Sequence, residues 1–548
     1  MIYRSALVVL SLMWAVTAKD YDFIVVGAGS AGSIVSSELV KSGADVLLIE
    51  AGGDNTDPAI DSLRSYFDLA FGALFNPFSG FKWIQWGYFS TEQTLAGAGA
   101  GATPKTFGIP RGRVLGGSHS INACAYVQAN ADDFNNIAAE VNDNMWRWRR
   151  TQRLRNKLER TIGITKLGKT QTGALDFIAT AHEVLGFPFN SNPTQGDQYG
   201  ISPSFWTGQE SSEGGIRTTA FDAFVLPVLN SSNRKGTIDV VTFHQVQHLI
   251  FDENDSTKVV GVSTMNVRSN VATEFRALKE VILSSGTYNT PQILMLSGIG
   301  PQAHLNDLGL ATKIDLPGVG SNLRDHYSVA TFWDLKNLPE GAPFLFQSPS
   351  LNMFGPEQQG QPSFQFELAG NFGSVVPLRQ VSTGTVRLQS SDPMASPIID
   401  PNVLSTSSDV DNMVDGLENY LLPFFQGLID KNLVTTNSLS PSASAEEIRQ
   451  YVIERFDTNH HPVGTCKIGS SSDPMAVVDS NFIVRGTANL RVIDASIFPE
   501  VPSGNINGPT MTAALLGARK IKLAHRSSMT LDADDEEEDD GNHVRKNV

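Results

Sequence analysis

Three features of this 548-residue chain predict a mixed α/β protein of two domains, one of them built on a parallel, nucleotide-binding sheet. The stretch Asp22-Phe-Ile-Val-Val-Gly-Ala-Gly-Ser-Ala-Gly32 reads as strand, glycine turn and helix, and Val46-Leu-Leu-Ile-Glu50 as a second strand ending on an acidic residue. The less regular residues 331–455 read as a second unit, with strand-like Pro362–Leu368 and Gly384–Leu388 and helical Ser408–Leu428.

In the first feature Gly27, Gly29 and Gly32 give a tight turn, backbone approach to a pyrophosphate, and close contact of helix with strand. Free N–H groups at the helix start suit phosphate oxygens, and Glu50, about twenty residues on, suits ribose hydroxyls. No other GxGxxG stands in a strand–turn–helix setting, and Gly97–Gly101 reads as a flexible loop. A single dinucleotide is therefore expected to carry the redox chemistry, without a separate nicotinamide site.

Composition narrows the class. The formal charge is −16, but residues 527–548 hold eight acidic and two basic side chains, leaving about −10 elsewhere. Such a body has no evident attraction for nucleic acid or an anionic membrane, and the tail, centred on Asp532–Asp540, is too charged and apolar-poor to fold. Residues 1–18, with Arg4, an apolar run from Ser5 to Val16 and Val16-Thr-Ala18, read as a secretory signal peptide. The apolar run is shorter than the roughly 20 residues a membrane span needs, so no integral membrane segment is expected after its removal. Sequons at Asn230 and Asn254 are compatible with secretion. Cys124 and Cys466 are the only cysteines, too few for a disulfide framework; whether they pair stays open.

Further along, the aromatic segment Tyr66–Phe89 reads as a folded loop over a planar cofactor or an apolar pocket, or as ordinary packing. Gly116-Gly117-Ser118 lets backbone approach a ligand. Trp146–Ile162 reads as a basic amphipathic surface helix and Thr237–Lys279 as an antiparallel meander. Glu280–Ser284 reads as a strand, followed by a helix starting at Pro291 with Thr290 as its cap.

These blocks together resemble the glucose–methanol–choline (GMC) flavin oxidoreductases, choline-dehydrogenase-like members above all, over roughly Asp20 to Ala524. The resemblance rests on Gly27–Gly32 with Glu50, Gly112–Ser118 through Asn122, Gly286–Gly300, Val319–His326, and His461–Cys466 with Val492–Ser496 and Gly504–Thr510. It implies FAD as cofactor, a Rossmann-like FAD-binding domain of residues 19–135, 211–330 and 456–526, and a substrate-binding domain of residues 136–210 and 331–455 built on an antiparallel sheet packed with helices. It places Gly27, Gly29 and Gly32 at the pyrophosphate, Glu50 at the ribose, Val246 at adenine, and Gly116, Gly117 and Asn122 along the flavin. Asp494, with Asn505 to Thr510, closes over the ribityl and ring end.

The reaction implied is oxidation of a primary alcohol to the aldehyde by hydride transfer to flavin N5. His461 takes the hydroxyl proton and Asn507 orients the oxygen. The electrons pass to oxygen or a quinone-like acceptor. Two other readings stay open at this level: a hydroxynitrile-lyase-like use of FAD, and a non-catalytic flavin-binding protein. His119 departs from the small residue the family prefers after Gly-Gly-Ser, and is read as a satisfied loop histidine or as a covalent flavin attachment. No metal is expected.

Overall fold

The computed structural model describes residues 19–56, 84–99, 102–166, 173–209, 216–336, 350–358, 360–369, 371–436 and 438–530. The signal peptide, most of the aromatic segment and the acidic run lie outside them.

The first sheet forms as the hydrophobic pattern requires. Tyr21–Val26 pairs in parallel with Asp45–Ile49 on one side and with Val271–Leu283 on the other. Its residues Phe23 to Val26 are all buried, as strands covered on both faces must be. The helix Ser30–Lys41 makes the crossover, and the 18-residue helix Asn507–Ala524 packs beside it. The strands His244–Phe251, Val259–Asn266 and Val271–Leu283 form the expected meander, whose last strand continues into the parallel sheet. Thr237–Val241 is a correction to that meander, because it pairs in parallel with Asp45–Ile49.

The second sheet is antiparallel, ordered Val434–Thr436, Tyr327–Leu335, Phe372–Pro377, Phe364–Ala369, Ser350–Phe354, Gly200–Pro203. One face packs on helices through Val329, Trp333, Leu351, Met353, Phe366, Leu368 and Val375. Of the stretch 136–210 expected in the substrate layer, Ala174–Leu185 packs into this core, whereas Trp148–Ile162 contributes Leu154, Leu158 and Ile162 to the first.

The helix after Ser284 starts at Gly286, so Thr290 does not cap it as expected and Pro291 lies inside. The proline removes one N–H from the helix ladder. The carbonyl that loses its partner, Thr287 O, accepts instead from Thr465 Oγ1 at 2.5 Å. Thr290 Oγ1 donates to Asp494 Oδ2 at 2.6 Å and accepts from Ser285 N at 3.1 Å. Both cysteines are buried and free.

A buried ion pair ties the chain's end to this sheet. Arg491 donates to Glu280 through Nε at 2.5 Å and Nη2 at 2.9 Å, and His525 Nε2 lies 2.8 Å from the same carboxylate. Burial acts to raise the Glu280 pKa, but the hydrogen bonds and charge of Arg491 and His525 outweigh it and bring the value to about 2. Because the folded value lies below the ordinary 4.5, the stabilisation is complete above about pH 4.5 and is lost as pH falls toward 2. Glu280→Gln is expected to lower the thermal midpoint by a few degrees at pH 7, corresponding to about 3 kcal/mol. That gap from the parent protein should close between pH 4.5 and 2; an equal gap at both ends would show that charge is not the cause.

Candidate active site

One cavity of about 840 Å³ runs between the two layers. Gly27, Gly29, Glu50, Gly117, Asn122, Val246, His461, Asp494, Asn505, Asn507 and Thr510 line it. Gly32 and Gly116 stand behind the wall, where Gly32 holds the helix against the turn: a Cβ there would lie 1.9 Å from Gly27 O. Likewise a Cβ on Gly117 would lie 2.8 Å from Gly29 Cα. Two helix N-termini open on the cavity, those of Ser30–Lys41 and Asn507–Ala524. Neither has a side-chain cap or an acidic residue in its first turn. Uncapped N–H groups beside a glycine wall are the donor set that a bound pyrophosphate satisfies. The buried Asn507 Nδ2, without a partner among the described residues, adds one more donor. The residues present therefore fit FAD.

Glu50 braces the turn as well as facing the cavity. Its Oε2 accepts from Ala28 N at 3.0 Å and its Oε1 from Gly52 N at 2.9 Å. Burial pushes its pKa up to about 7, against those hydrogen bonds and the charge of Arg113. Asp494 gathers the other side, accepting from Gly286 N at 2.9 Å, Thr290 and Ser496. Asn122 Oδ1 accepts from Arg217 Nη1 at 2.7 Å, and Thr510 Oγ1 donates to Ile506 O at 2.7 Å. His119 is buried with both ring nitrogens engaged: Nδ1 accepts from Ala220 N at 3.2 Å and Nε2 lies 3.0 Å from Thr207 Oγ1. Its pKa is lowered to about 3 by burial and by Arg217.

His461 sits on a turn pinned at three successive residues. Arg111 Nη2 donates to His460 O at 3.0 Å, His461 N donates to Asp325 Oδ1 at 2.6 Å, and Thr287 Oγ1 donates to Pro462 O at 2.7 Å. These bonds hold His460 at a φ of 60°, a left-handed conformation uncommon for histidine. Burial raises the pKa of Asp325 to about 6, against its bond from Thr458 and the charge of Arg111. The imidazole itself lies with Nε2 at 3.2 Å from Asn505 Nδ2 and Nδ1 at 3.1 Å from His326 Nδ1.

The sequence expectation paired His461 with Asn507; the structure corrects this to Asn505. The two are separated by half a helical turn at the start of the last helix. Asn505 precedes it and turns its amide to His461, while Asn507, the first helical residue, accepts from Ser30 Oγ at 2.6 Å through Oδ1. The Asn505 amide is fixed in orientation. Its Oδ1 accepts from Gln365 Nε2 at 3.3 Å, and its Nδ2 donates to Glu367 Oε1 at 3.4 Å. Reversing it would oppose two N–H groups on one side and two oxygens on the other. Nδ2 therefore points at His461, whose Nε2 must be the unprotonated, accepting nitrogen. Nδ1–H then donates to His326, leaving the buried His326 Nε2–H without a partner among the described residues. Burial, then Arg111, lowers the His461 pKa to about 3 and keeps the ring neutral.

Arg111, Asp325, His326 and Glu367 were not singled out from sequence. Glu367 was legible in principle, since the alternation Phe364-Gln-Phe-Glu-Leu368 puts Gln365 and Glu367 opposite the core residues. The other three act through turns that no periodicity marks.

Family models for the N- and C-terminal parts of GMC oxidoreductases match residues 21–328 and 380–514. The chain belongs to the GMC oxidoreductase family. It is 29% identical to an alcohol dehydrogenase [acceptor] of Pseudomonas putida, covering 92% of this chain and 97% of that one. It is 30% identical to an oxygen-dependent choline dehydrogenase of Rhizobium johnstonii, covering 89% and 93%. Among solved structures, formate oxidase of Aspergillus oryzae superposes with a TM-score of 0.79 at 25% identity, covering 93% of this chain and 100% of the other. A fungal aryl-alcohol oxidase shares the fold at 0.74 and 20%, covering 92% and 99%. The protein is thus an FAD-dependent GMC enzyme acting on CH–OH groups.

Gly32→Val should leave the protein without bound flavin: absorbance near 450 nm per mole of chain is expected below a tenth of the parent's. Retention of full colour would show that the close contact with Gly27 is not needed.

Proposed function

We propose that this GMC enzyme oxidises a primary alcohol to the aldehyde, with His461 as proton acceptor and Asn505 as the group that holds the substrate oxygen. The observation that carries the reading is the fixed Asn505 amide, which leaves the His461 Nε2 lone pair and an amide N–H side by side on the cavity. A hydroxyl that replaces the bond between them donates to His461 Nε2 and accepts from Asn505 Nδ2. As the carbon loses hydride, the hydroxyl proton moves to Nε2, and the amide N–H meets the negative charge developing on oxygen. Asp325 and Arg111 hold the His461 backbone while this occurs. FAD held here would supply the hydride acceptor, with oxygen or a quinone-like molecule as the final acceptor of the electron pair. In this reading Asn507, whose Nδ2 has no partner among the described residues, is a cofactor contact, and Val246, Asp494 and Thr510, which line the cavity, lie along FAD.

We further propose that the chain is secreted. The apolar leader of residues 1–18 supports this, as do the two sequon asparagines, Asn230 and Asn254, which are both exposed. Among the described residues no helix is long and apolar enough to cross a membrane.

His461→Ala should slow anaerobic flavin reduction by about 100-fold or more while FAD stays bound. Asn505→Ala should slow it by about 10- to 100-fold, and Asn507→Ala less. If Asn507→Ala is the slower of the two, the assignment to Asn505 fails. Since His461 is held neutral, the acid limb of the reduction rate should fall below the ordinary histidine value of 6.5. A rate that declines through pH 7 on acidification would count against this environment for the base.

A further inference from the structure

The antiparallel sheet turns its second face to the cavity, and the strand register makes that face a row of hydrogen-bonding side chains. Asn352 stands opposite Glu367, and Glu367 opposite Ser374. Neighbouring strands lie about 4.8 Å apart, so the three groups repeat at that interval across the floor. All three line the cavity. The row begins at the reacting centre, because Glu367 Oε1 takes the second N–H of the same Asn505 amide that faces His461.

The bonding capacity of this floor is only partly used. Glu367 accepts from Asn505 and Asn459 at 3.4 Å and from Ser374 at 3.3 Å, three long bonds from neutral donors. Burial raises the Glu367 pKa against these bonds, and a carboxyl group offers about four acceptor sites. Asn352 Nδ2 gives one hydrogen to Ser204 Oγ at 3.1 Å and retains another. Trp206 is 6% exposed and lines the cavity, and its indole N–H is buried without a partner. The wall thus presents a carboxyl group with spare acceptor sites, a donor-only group, and amide and hydroxyl groups that do both. An aryl or aliphatic alcohol would leave the spare sites of these groups and the Trp206 N–H unfilled, and a quaternary ammonium ion could satisfy the carboxyl group but no donor. A hydroxyl group alone is both donor and acceptor.

Resting on the alcohol-oxidation reading above, we propose that the substrate is a polyhydroxylated primary alcohol, a sugar or alditol, whose hydroxyls away from the reacting carbon are held by Asn352, Glu367, Ser374 and Trp206. The tilted rings of Phe332 and Phe372, with centroids 6.5 Å apart, give the C–H side of such a molecule an apolar surface at the edge of the same floor.

The test uses the purified holoenzyme, mixed anaerobically with hexitols, pentitols, aldohexoses, 1-hexanol, benzyl alcohol and choline while flavin absorbance is followed. At least one polyol is expected to reduce the flavin with a second-order rate constant at least 30-fold above those of 1-hexanol, benzyl alcohol and choline. If one of those three is fastest, this inference is overturned and alcohol oxidation stands; if nothing bleaches the flavin, both fall. In Asn352→Leu the ratio of the polyol rate constant to that of 1-hexanol should drop at least tenfold. Trp206→Phe, which keeps the ring and removes only the N–H, should lower the same ratio about threefold or more. Equal losses on both alcohols in the Trp206 variant would mean a structural role and would remove Trp206 from the assignment.

Discussion

A primary amide held between a carboxylate and another amide's N–H has one low-energy orientation, and the geometry of the site around His461 depends on that fact at Asn505. Glu367 accepts on one side and Gln365 donates on the other, so the N–H of Asn505 is aimed at His461 before any substrate arrives. The consequence passes along the chain of contacts: His461 accepts at Nε2 and donates at Nδ1, and His326 takes that proton's bond. An accepting ring nitrogen and an amide donor are therefore set side by side, hydrogen-bonded to each other on the cavity wall.

The components come from distant parts of the chain. Gln365 and Glu367 are on the antiparallel sheet, Asn505 precedes the last helix of the nucleotide-binding layer, and His461 lies on the loop between them. The loop is held from both sides, by Asp325 and His326 at the entrance to the antiparallel sheet and by Arg111 and Thr287 from the cofactor side. Relative displacement of the layers would separate base from amide, so the large apolar cores behind each sheet also serve the geometry of the site.

How far the sequence could be read varied with the range of the interaction. The Rossmann-like turn was legible because strand, glycines, helix and Glu50 follow one another within thirty residues and each obeys a local rule. The meander and the amphipathic helix Trp148–Ile162 were legible through their periods of 2 and 3.6. The helix start at Gly286 was missed because the proline rule assumes that a carbonyl four residues earlier goes unpaired. Here Thr465, 178 residues away in sequence, supplies the missing donor.

The sequence by itself determined the nucleotide-binding layer and the FAD it takes, since local patterning and short motifs encode both. Tertiary structure decided between Asn505 and Asn507. The two are identical side chains two residues apart, and only the start of a helix sends one to Ser30 and the other to His461. It also decided the character of the substrate floor. Alternation shows which residues share a face of a strand, but register between strands is set by long-range pairing. Only that pairing brings Asn352, Glu367 and Ser374 into one row beside Asn505 and His461.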